Sequence, residues 1–321
     1  MSNLKGTIDE FILETCENIK KQADGQPVLC ALSGGIDSTV CAILTHRAIG
    51  DKLTCLFVDT GLMRKNEGDQ VTKLFRDTYN INLIRINAEQ RFLTKLKDVT
   101  EPEQKRKIIG EEFIRVFEEE AKKLGEIGCL VQGTIYPDII ESGEDGHKQV
   151  KAHHNVGGMP LNIEFKQIIE PIKLLYKEEV RECGRKLGLP ETFTTRQPFP
   201  GPGLAVRCIG ELTKQRLDLL READAIFREE IEKAGLQKQI QQYFTILPNL
   251  KSVGVRNNQR CYENMITLRA ITTTDFVTAK PYPLPYTLLE TIVNRITNEI
   301  PGINRILLDI TPKPTATIEW E

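Results

Sequence analysis

Short apolar runs alternate with longer amphipathic stretches over roughly the first 190 residues, and this alternation limits the fold more than any other feature. The apolar runs, residues 28–32, 53–58, 81–86 and 129–132, have the length of strands buried on both faces. The stretches between them, residues 38–47, 67–79 and 103–124, have the apolar spacing of helices. Because strands separated by helices pair in parallel, the pattern predicts an α/β fold with a doubly wound parallel sheet.

The length and one proline-rich segment predict two domains. A single core usually stops growing by about 250–300 residues, and this chain has 321. Residues 197–206, QPFPGPGLAV, contain three prolines and two glycines and predict a rigid turn between domains over residues 1–200 and 201–321. After the turn, predicted helices (213–233 and 284–300) and strands (251–256, 264–271 and 305–310) indicate a smaller α+β domain.

Charge and hydropathy exclude several classes of protein. The 43 basic and 45 acidic side chains leave a net charge of −2, which gives no reason to expect nucleic acid or a membrane surface as a partner. No apolar run approaches the roughly 18–20 residues that span a bilayer. The start, MSNLKGTIDE, lacks the apolar core of a secretory signal, so we expect a soluble cytoplasmic protein.

The eight cysteines are scattered along the chain, and no two form a C-x-x-C pair. This spacing argues against a zinc site or an iron–sulfur cluster. Cys30, Cys55 and Cys129 lie inside apolar runs, where cysteine behaves as a small hydrophobe. We therefore expect buried, reduced thiols.

The segment LSGGIDST, residues 32–39, directly follows the first predicted strand and opens the first long helix. Its glycines, Gly34 and Gly35, permit positive φ and a close approach of the backbone to a ligand. The free N–H groups of the first helical turn then point at one anion. Because the helix dipole contributes only about 0.3–1 kcal/mol, the hydroxyls of Ser33, Ser38 and Thr39 are useful additional donors. The segment predicts a phosphate site.

This loop differs from two common phosphate-binding turns. It is neither G-x-x-x-x-G-K-[ST] nor G-x-G-x-x-G, and it carries no lysine that could reach a γ-phosphate. It contains Asp37 instead, whose charge would repel a bare phosphate unless a magnesium ion lay between them. Alternatively, Asp37 only stabilises the helix N-terminus. The glycines and hydroxyls around it favour the metal-ligand interpretation.

The loop SGGIDST resembles the pyrophosphate loop of the N-type ATP pyrophosphatases, a class that includes NAD synthetases, argininosuccinate synthetases and tRNA-thiolating enzymes. Further motifs are similar, in chain order, to the synthetase part of the GMP synthase family: FVDTGLMR, EPEQKRKIIG, VQGTIYPDIIES, KAHHNVGG, PFPGPGL and KPTATIEWE. The turn PFPGPGL and the ending ATIEWE are peculiar to that family. The resemblance runs from about residue 27 to the last residue.

The resemblance implies that ATP activates xanthosine monophosphate (XMP) for amination. The C2 oxygen of XMP would attack the α-phosphorus of ATP, which gives adenylyl-XMP and pyrophosphate, and ammonia would then displace AMP. Lys151, in the polar segment 141–160, would close onto the phosphates as part of a lid and act with Asp37 in catalysis. Magnesium would be held by Asp37 and Asp138, although Asp138 could instead be a turn residue after Pro137. We assign ATP binding to Ser33, Gly34, Gly35, Ile36, Asp37, Ser38, Thr39, Val58, Asp59 and Gly133.

For XMP, the resemblance points to Arg106 and Lys313 as cations for the phosphate and to Ile318 and Glu319 for the ring. Either cation could otherwise be a solvent-facing charge. The resemblance also implies that the C-terminal domain dimerises, so we expect a homodimer. No glutamine-hydrolysing nucleophile is recognisable, so we expect a class I glutaminase subunit or domain to supply the ammonia.

Three other interpretations remain open at this point. An NAD synthetase shares S-G-G-x-D-S, although PGPGL and ATIEWE argue against it. A tRNA-thiolating protein would be expected to have a basic surface and paired reactive cysteines, and neither is evident here. The third is a non-catalytic nucleotide-binding scaffold. The presence of the complete set Asp37, Asp138 and Lys151 argues against this interpretation, because a scaffold would not need catalytic residues.

Overall fold

The structure, a computed structural model, describes residues 4, 6–141, 155–156, 159–160, 163 and 165–321. It divides into two compact units, each assembled from separate stretches of the chain. The first comprises Met1–Thr60, Asn66–Ala88 and Gly110–Arg196, and the second comprises Gly61–Lys65, Glu89–Ile109 and Gln197–Glu321. The last change of unit therefore falls at the start of the proline-rich turn.

Residues 61–65 and 89–109 fall in the second unit, although the sequence pattern placed them with residues 1–200. A close backbone contact explains the first of these segments. The N–H of Leu204 donates to the carbonyl of Leu62 at 2.7 Å. Gly203, with φ of +65°, comes so near that an added Cβ would lie 2.3 Å from the Leu62 oxygen. Only glycine fits at this position.

Five parallel strands form the sheet of the first unit, and a separate antiparallel pair is also described. The sheet has the order β3-β2-β1-β4-β7, and β5 pairs with β6. Their bounds are β1 Val28–Leu32, β2 Leu53–Asp59, β3 Asn82–Asn87, β4 Cys129–Val131, β5 Asn155–Val156, β6 Met159–Pro160 and β7 Gln167–Ile169.

Helices cover both faces of this sheet. The helices ahead of the proline-rich turn are α1 Ile8–Ala23, α2 Ile36–Ile49, α3 Glu67–Lys73, α4 Glu89–Lys95, α5 Pro102–Lys123, α6 Tyr136–Glu141, α7 Lys177–Lys186 and α8 Glu191–Thr194. Of these, α4 and residues 102–109 of α5 belong to the second unit. On one face, Leu29 of β1 shares a buried cluster with Phe117 of α5. On the other face, Cys41 of α2 lies near Cys30 of β1 and Cys183 of α7. The predicted doubly wound α/β fold is confirmed.

The strand order places a topological switch beside β1. The chain moves from β1 to β2 and β3 on one side and then to β4 and β7 on the other. In open parallel sheets of this kind, ligands bind in the crevice outside the carboxyl ends of the strands at such a switch. The crevice lies here beyond Leu32 of β1 and Val131 of β4.

The predicted elements agree with the structure where local signals are strong. The first strand coincides with β1, and the long predicted helix differs from α5 by one residue at each end. Helix α1 was not predicted, although Thr7 and Glu10 form a capping box at its start. The predicted lid segment, residues 141–160, lies largely outside the described residues, including Lys151; the described part includes β5 and β6.

The second unit contains a mixed sheet centred on one long strand, β10. Antiparallel partners are β8, β9 and β11, and β12 runs parallel to it. Asn257 and Asn258 connect β9 to β10 with φ of 51° and 60°, as a type I′ hairpin requires. The predicted α+β character is confirmed by α9 Lys214–Lys233, β8 Gln242–Ile246, β9 Lys251–Arg256, β10 Gln259–Thr272, β11 Lys280–Pro281, α10 Tyr286–Glu299 and β12 Ile303–Asp309.

The described helices include none that is long and apolar enough to cross a membrane. All eight cysteines are free thiols, as predicted. Six are buried, and only Cys16 and Cys261 are partly exposed. Burial raises the pKa of the Cys183 thiol to about 12 and that of Cys208 to about 11, because the thiolate loses its hydration.

We expect two of the eight thiols to react readily with an aromatic disulfide reagent at pH 8, namely Cys16 and Cys261. The thiolate must reach the reagent in order to react, so burial protects the other six thiols. In denaturant all eight should react. The absorbance of the released thiol measures both counts, and rapid reaction of more than two thiols in the folded protein would contradict the described core.

Candidate functional site

The loop after β1 is shaped by one left-handed glycine. Gly34 has φ of +78°, a conformation that disfavours other residues. Gly35 is the N-cap of α2 and provides no side-chain cap. The N–H groups of Ile36, Asp37 and Ser38, in the first turn of α2, therefore have no intrahelical acceptor by geometry. They lie at the carboxyl edge of the sheet, as an anion site requires.

The hydroxyls of the loop bond mainly to the loop itself. Ser33 Oγ and Ser38 Oγ are 3.1 Å apart, and Ser38 Oγ also donates to the Gly35 carbonyl at 3.2 Å. Thr39 is fully buried, and its hydroxyl donates to the same carbonyl at 2.8 Å. Thr39 thus holds the turn in shape, whereas Ser33 and Ser38 line its inner side.

Asp37 is bound to a lysine that the sequence pattern did not single out. Lys177 Nζ donates to Asp37 Oδ2 at 2.6 Å, across 140 residues of chain. The other oxygen, Oδ1, is buried and has no hydrogen-bond partner within the described structure. Asp37 is therefore more than a stabiliser of the α2 N-terminus. One sequence signal was available, because Lys177 is the first residue of α7, where a cation opposes the helix dipole.

The donor set fits a magnesium ion that is held mainly by a phosphate ligand and water. Mg²⁺ prefers carboxylate oxygens and keeps several waters, and the buried Oδ1 of Asp37 is such an oxygen without a partner. Asp138 Oδ2 accepts the N–H of Ile135 at 3.0 Å, which is the turn role considered as its alternative. Over the described residues, no group of three or more acidic, histidine or cysteine side chains could hold a metal by itself.

Gly133 and the end of β2 border the same crevice. A Cβ added to Gly133 would lie 3.2 Å from the Ser38 nitrogen, so the backbone after β4 touches the start of α2. Val58 is almost fully buried. The carboxylate of Asp59 accepts a hydrogen bond from Arg85 Nη2 at 2.6 Å, so this side chain is held in place.

Arg196 supports the loop from outside and was not predicted. Its Nη1 donates to the Gly34 carbonyl at 3.1 Å and to Glu67 Oε1 at 2.9 Å. Its guanidinium stacks on the ring of Phe193 at 4.5 Å. Because Arg196 is 162 residues from Gly34, no local pattern could have revealed the contact.

The C-terminal segment of the second unit is held by buried cations. Lys105 is fully buried, and its Nζ lies 2.5 Å from Glu321 Oε2. It also donates to the carbonyls of Ala205 and Cys208. Neighbouring Arg106, one of the predicted XMP residues, donates to the main-chain oxygen of Glu321.

The other predicted XMP residues lie in the same segment. Both oxygens of Glu319 accept from Arg207, at 2.7 and 3.0 Å. The carbonyl of Ile318 accepts from Arg269 at 2.8 Å, and Lys313 Nζ donates to the carbonyl of Phe276 at 2.7 Å. The structure therefore brings Arg106 together with the end of the chain. Lys105, Arg207 and Arg269 are the additional contributors that sequence reasoning missed.

A cavity of about 410 Å³ lies elsewhere in the first unit, beside Gln26, Gly128 and Lys166. These residues precede β1, β4 and β7, so the cavity is at the amino-terminal edge of the sheet. Since parallel sheets bind ligands at the carboxyl edge, the loop and not this cavity is the candidate site.

Two parts of the chain match models of known protein families. Residues 8–113 match the family model described as NAD synthase, so the chain carries a domain of the N-type ATP pyrophosphatase class. Residues 229–320 match the model described as GMP synthase C terminal domain. The resemblance to the GMP synthase family that the motifs indicated is therefore confirmed.

Two curated relatives support this result. The protein named GMP synthase [glutamine-hydrolyzing] of Ruminiclostridium cellulolyticum is 59% identical over 98% of this chain, and its Acetivibrio thermocellus counterpart is 60% identical over 97%. The chain spans about 61% of the length of each of these proteins.

Two solved structures are more distant. NMN synthetase from Francisella tularensis is 15% identical with a TM-score of 0.48, covering 67% of this chain and 85% of its own. NH3-dependent NAD synthetase from Campylobacter jejuni is 17% identical with a TM-score of 0.45, covering 73% and 88%. At these values neither likeness bears on function.

We expect Gly133→Ala to weaken binding of inorganic pyrophosphate about tenfold, which corresponds to ~1.4 kcal/mol. The new methyl group would push against the Ser38 nitrogen and misalign the donors of the first turn of α2. Titration calorimetry measures the affinity. Gly201→Ala is the control, because its Cβ would meet no atom within 4 Å. Equal affinity in Gly133→Ala and the control would show that pyrophosphate does not bind at this turn.

We expect Lys105→Met to lower the free energy of unfolding by about 3–5 kcal/mol, because the buried Glu321 carboxylate would lose its counter-charge. Lys105→Met combined with Glu321→Gln should cost less than the sum of the single changes. Urea denaturation measures all three. Lys123→Met, on the exposed side of the same helix, should change stability by less than about 0.5 kcal/mol. Additive losses would mean that the pair does not couple.

Proposed function

We propose that this chain is the synthetase part of a glutamine-hydrolysing GMP synthase. It would convert XMP, ATP and ammonia into GMP, AMP and pyrophosphate. The observation that carries the proposal is identity of about 60% over 97% of the chain to a protein of that name, with a GMP synthase C-terminal domain at residues 229–320. The NAD synthetase alternative has no comparable support in the second unit.

The first chemical step is adenylylation of XMP. The C2 oxygen attacks the α-phosphorus, pyrophosphate leaves, and the oxygen that was a poor leaving group becomes part of an adenylate. In-line attack at a triphosphate needs charge neutralisation and positioning more than a protein nucleophile. The free N–H groups of Ile36, Asp37 and Ser38 supply positioned donors for the departing pyrophosphate without rearrangement of the loop.

ATP is proposed to bind across the carboxyl edge of the first sheet. Its outer phosphates would meet the turn from Ser33 to Thr39, and its adenosine would lie near Val58 and Asp59. The close approach of Gly133 to the Ser38 nitrogen supports this arrangement, because it sets the backbone after β4 against the first turn of α2. When bound at Asp37, magnesium would shield the charge of the phosphates. The assignments of Lys151 to the α-phosphate and of Asp138 to the metal rest on the family resemblance.

XMP is proposed to use Arg106, Lys313, Ile318 and Glu319. The bidentate contact with Arg207 fixes the plane of the Glu319 carboxylate. Each carboxylate oxygen can accept a second hydrogen bond, so Glu319 can still receive an N–H of the xanthine ring. Lys313 is partly exposed, and in the contacts described above its ammonium bonds only to a neutral carbonyl, which leaves its charge available for a phosphate.

Two protein partners are proposed. A second copy of the chain would cover exposed apolar side chains on the sheet of the second unit, which include Val253, Val255, Tyr262 and Leu307. A class I glutaminase, as a subunit or as a further part of the same protein, would supply ammonia. The greater length of the relatives, of which this chain spans about 61%, supports the second partner. A cytoplasmic location follows from the proposed activity.

The deciding experiment offers the protein ATP labelled at the α-phosphate, magnesium and ammonium, with XMP, nicotinate adenine dinucleotide or unmodified tRNA in parallel. We expect label in AMP, with equal amounts of pyrophosphate and GMP, only with XMP. With glutamine as the only nitrogen source, the chain alone should form no GMP. Chromatography of the nucleotides measures both results. ADP and orthophosphate as products, or turnover with another acceptor, would overturn the proposal.

A further inference from the structure

We propose that Lys177 is an exchangeable cation of the pyrophosphate loop. Before the nucleotide arrives, it neutralises Asp37; when a divalent metal binds Asp37, the ammonium of Lys177 moves onto the outer phosphates. The inference rests on the proposed function in one respect, namely that the loop binds a nucleoside triphosphate. It supplies, from a distant helix, the lysine that the loop itself lacks.

The contact between Lys177 and Asp37 is short but weakly held. The two atoms lie 2.6 Å apart, while the side chains remain 41% and 27% exposed. An ion pair exposed to this degree contributes little to stability, because water and salt compete for both charges. Such a pair is too weak to clamp two helices together. It can be exchanged at little cost.

The position of Lys177 in its helix has no explanation in helix stability. Lys177 is the first residue of α7, and Glu178 and Glu179 follow it. Acidic residues are favoured in the first turn and cations in the last, so a lysine at this position opposes the helix dipole. Glu179 instead completes the capping box by accepting the N–H of Tyr176 at 2.7 Å. The positive charge of Lys177 therefore complements Asp37 in the first turn of α2, and it does not stabilise its own helix.

The two carboxylate oxygens of Asp37 differ in their hydrogen bonding, and this difference indicates where a metal ion would bind. Oδ2 carries Lys177, whereas Oδ1 is buried without a partner in the described structure. A divalent cation on Oδ1 would face the ammonium across one carboxylate. At this short distance, the doubly charged cation would repel the ammonium with about twice the energy of two unit charges. Because the Lys177 pair is exposed and weak, we expect the lysine to leave as the metal arrives.

The released ammonium stays beside the phosphates. Helices α2 and α7 are packed together, since a Cβ on Gly184 would lie 3.2 Å from Ile36 Cδ1. The flexible stem of Lys177 therefore reaches the first turn of α2 whether or not Asp37 holds it. There it adds a full positive charge to N–H groups that carry only partial charges. Lys177 would thus do for this loop what an in-loop lysine does in the G-x-x-x-x-G-K-[ST] turn.

The test compares Lys177→Met with Lys186→Met, a matched change in the last turn of the same helix. Lys186 pairs with Asp9 at 2.7 Å, and its side chain is 47% exposed, close to the 41% of Lys177. Titration calorimetry measures binding of magnesium alone, and of inorganic pyrophosphate with and without magnesium. In Lys177→Met, we expect pyrophosphate affinity to fall at least about tenfold and magnesium affinity to rise several-fold. Lys177→Arg should preserve pyrophosphate binding, and Lys186→Met should change neither affinity.

A lower affinity for pyrophosphate together with a higher affinity for magnesium distinguishes exchange from a structural role of Lys177. Loss of a structural role would weaken both affinities. Unchanged pyrophosphate affinity in Lys177→Met, or parallel loss of both affinities, would overturn the inference while leaving the proposed function intact. Wild-type protein that bound no pyrophosphate would overturn the proposed function itself. Thermal unfolding checks that each variant is folded, and Lys177→Gln replaces Lys177→Met if the latter is not.

Discussion

The first unit depends on a single reversal of the chain, the turn from β1 into α2. Strand β1 lies at the centre of the sheet, so the place where it ends is fixed by its neighbours on both sides. Gly34 enters the left-handed region at that end and lets the helix begin two residues later. The helix therefore starts with unsatisfied N–H groups facing the crevice. The same geometry that completes the fold creates the candidate anion site.

The second unit relies on a different kind of interaction, charges that are buried inside protein. Lys105, Arg207 and Arg269 are almost inaccessible to solvent, and each meets a carboxylate of the C-terminal part of the chain. Removing such charges from water costs several kcal/mol per ion, so these pairs contribute little net stability. Their effect is to fix where the segment lies, because any other position would leave a buried charge unpaired. If this segment binds XMP, as proposed, a fixed position matters more for it than added stability.

Sequence reasoning succeeded where the information is local. The β1 strand, the glycine–hydroxyl turn and the α+β second unit each follow from neighbouring residues. It failed where two distant residues meet, as with Lys177 and Asp37 or Arg196 and Gly34. Lys105 shows a subtler limit. It is adjacent to Arg106, and consecutive residues of a helix point about 100° apart, so one can be buried while the other is half-exposed. The apolar pattern did not show which, because both residues are charged and neither adds to the apolar face of the helix.

On the proposed function, the two units recognise ligands by different means, and this would explain how a common fold can serve one particular acceptor. In the first unit the donors are mainly backbone N–H groups, which read phosphate charge and geometry but not the identity of a base. Such a turn can therefore serve proteins with different acceptors, and residues 8–113 match the family model described as NAD synthase. In the second unit the predicted contacts are side chains such as Glu319, whose hydrogen bonds distinguish one purine from another. On the proposed function, the choice of acceptor lies there, where the match is to GMP synthase.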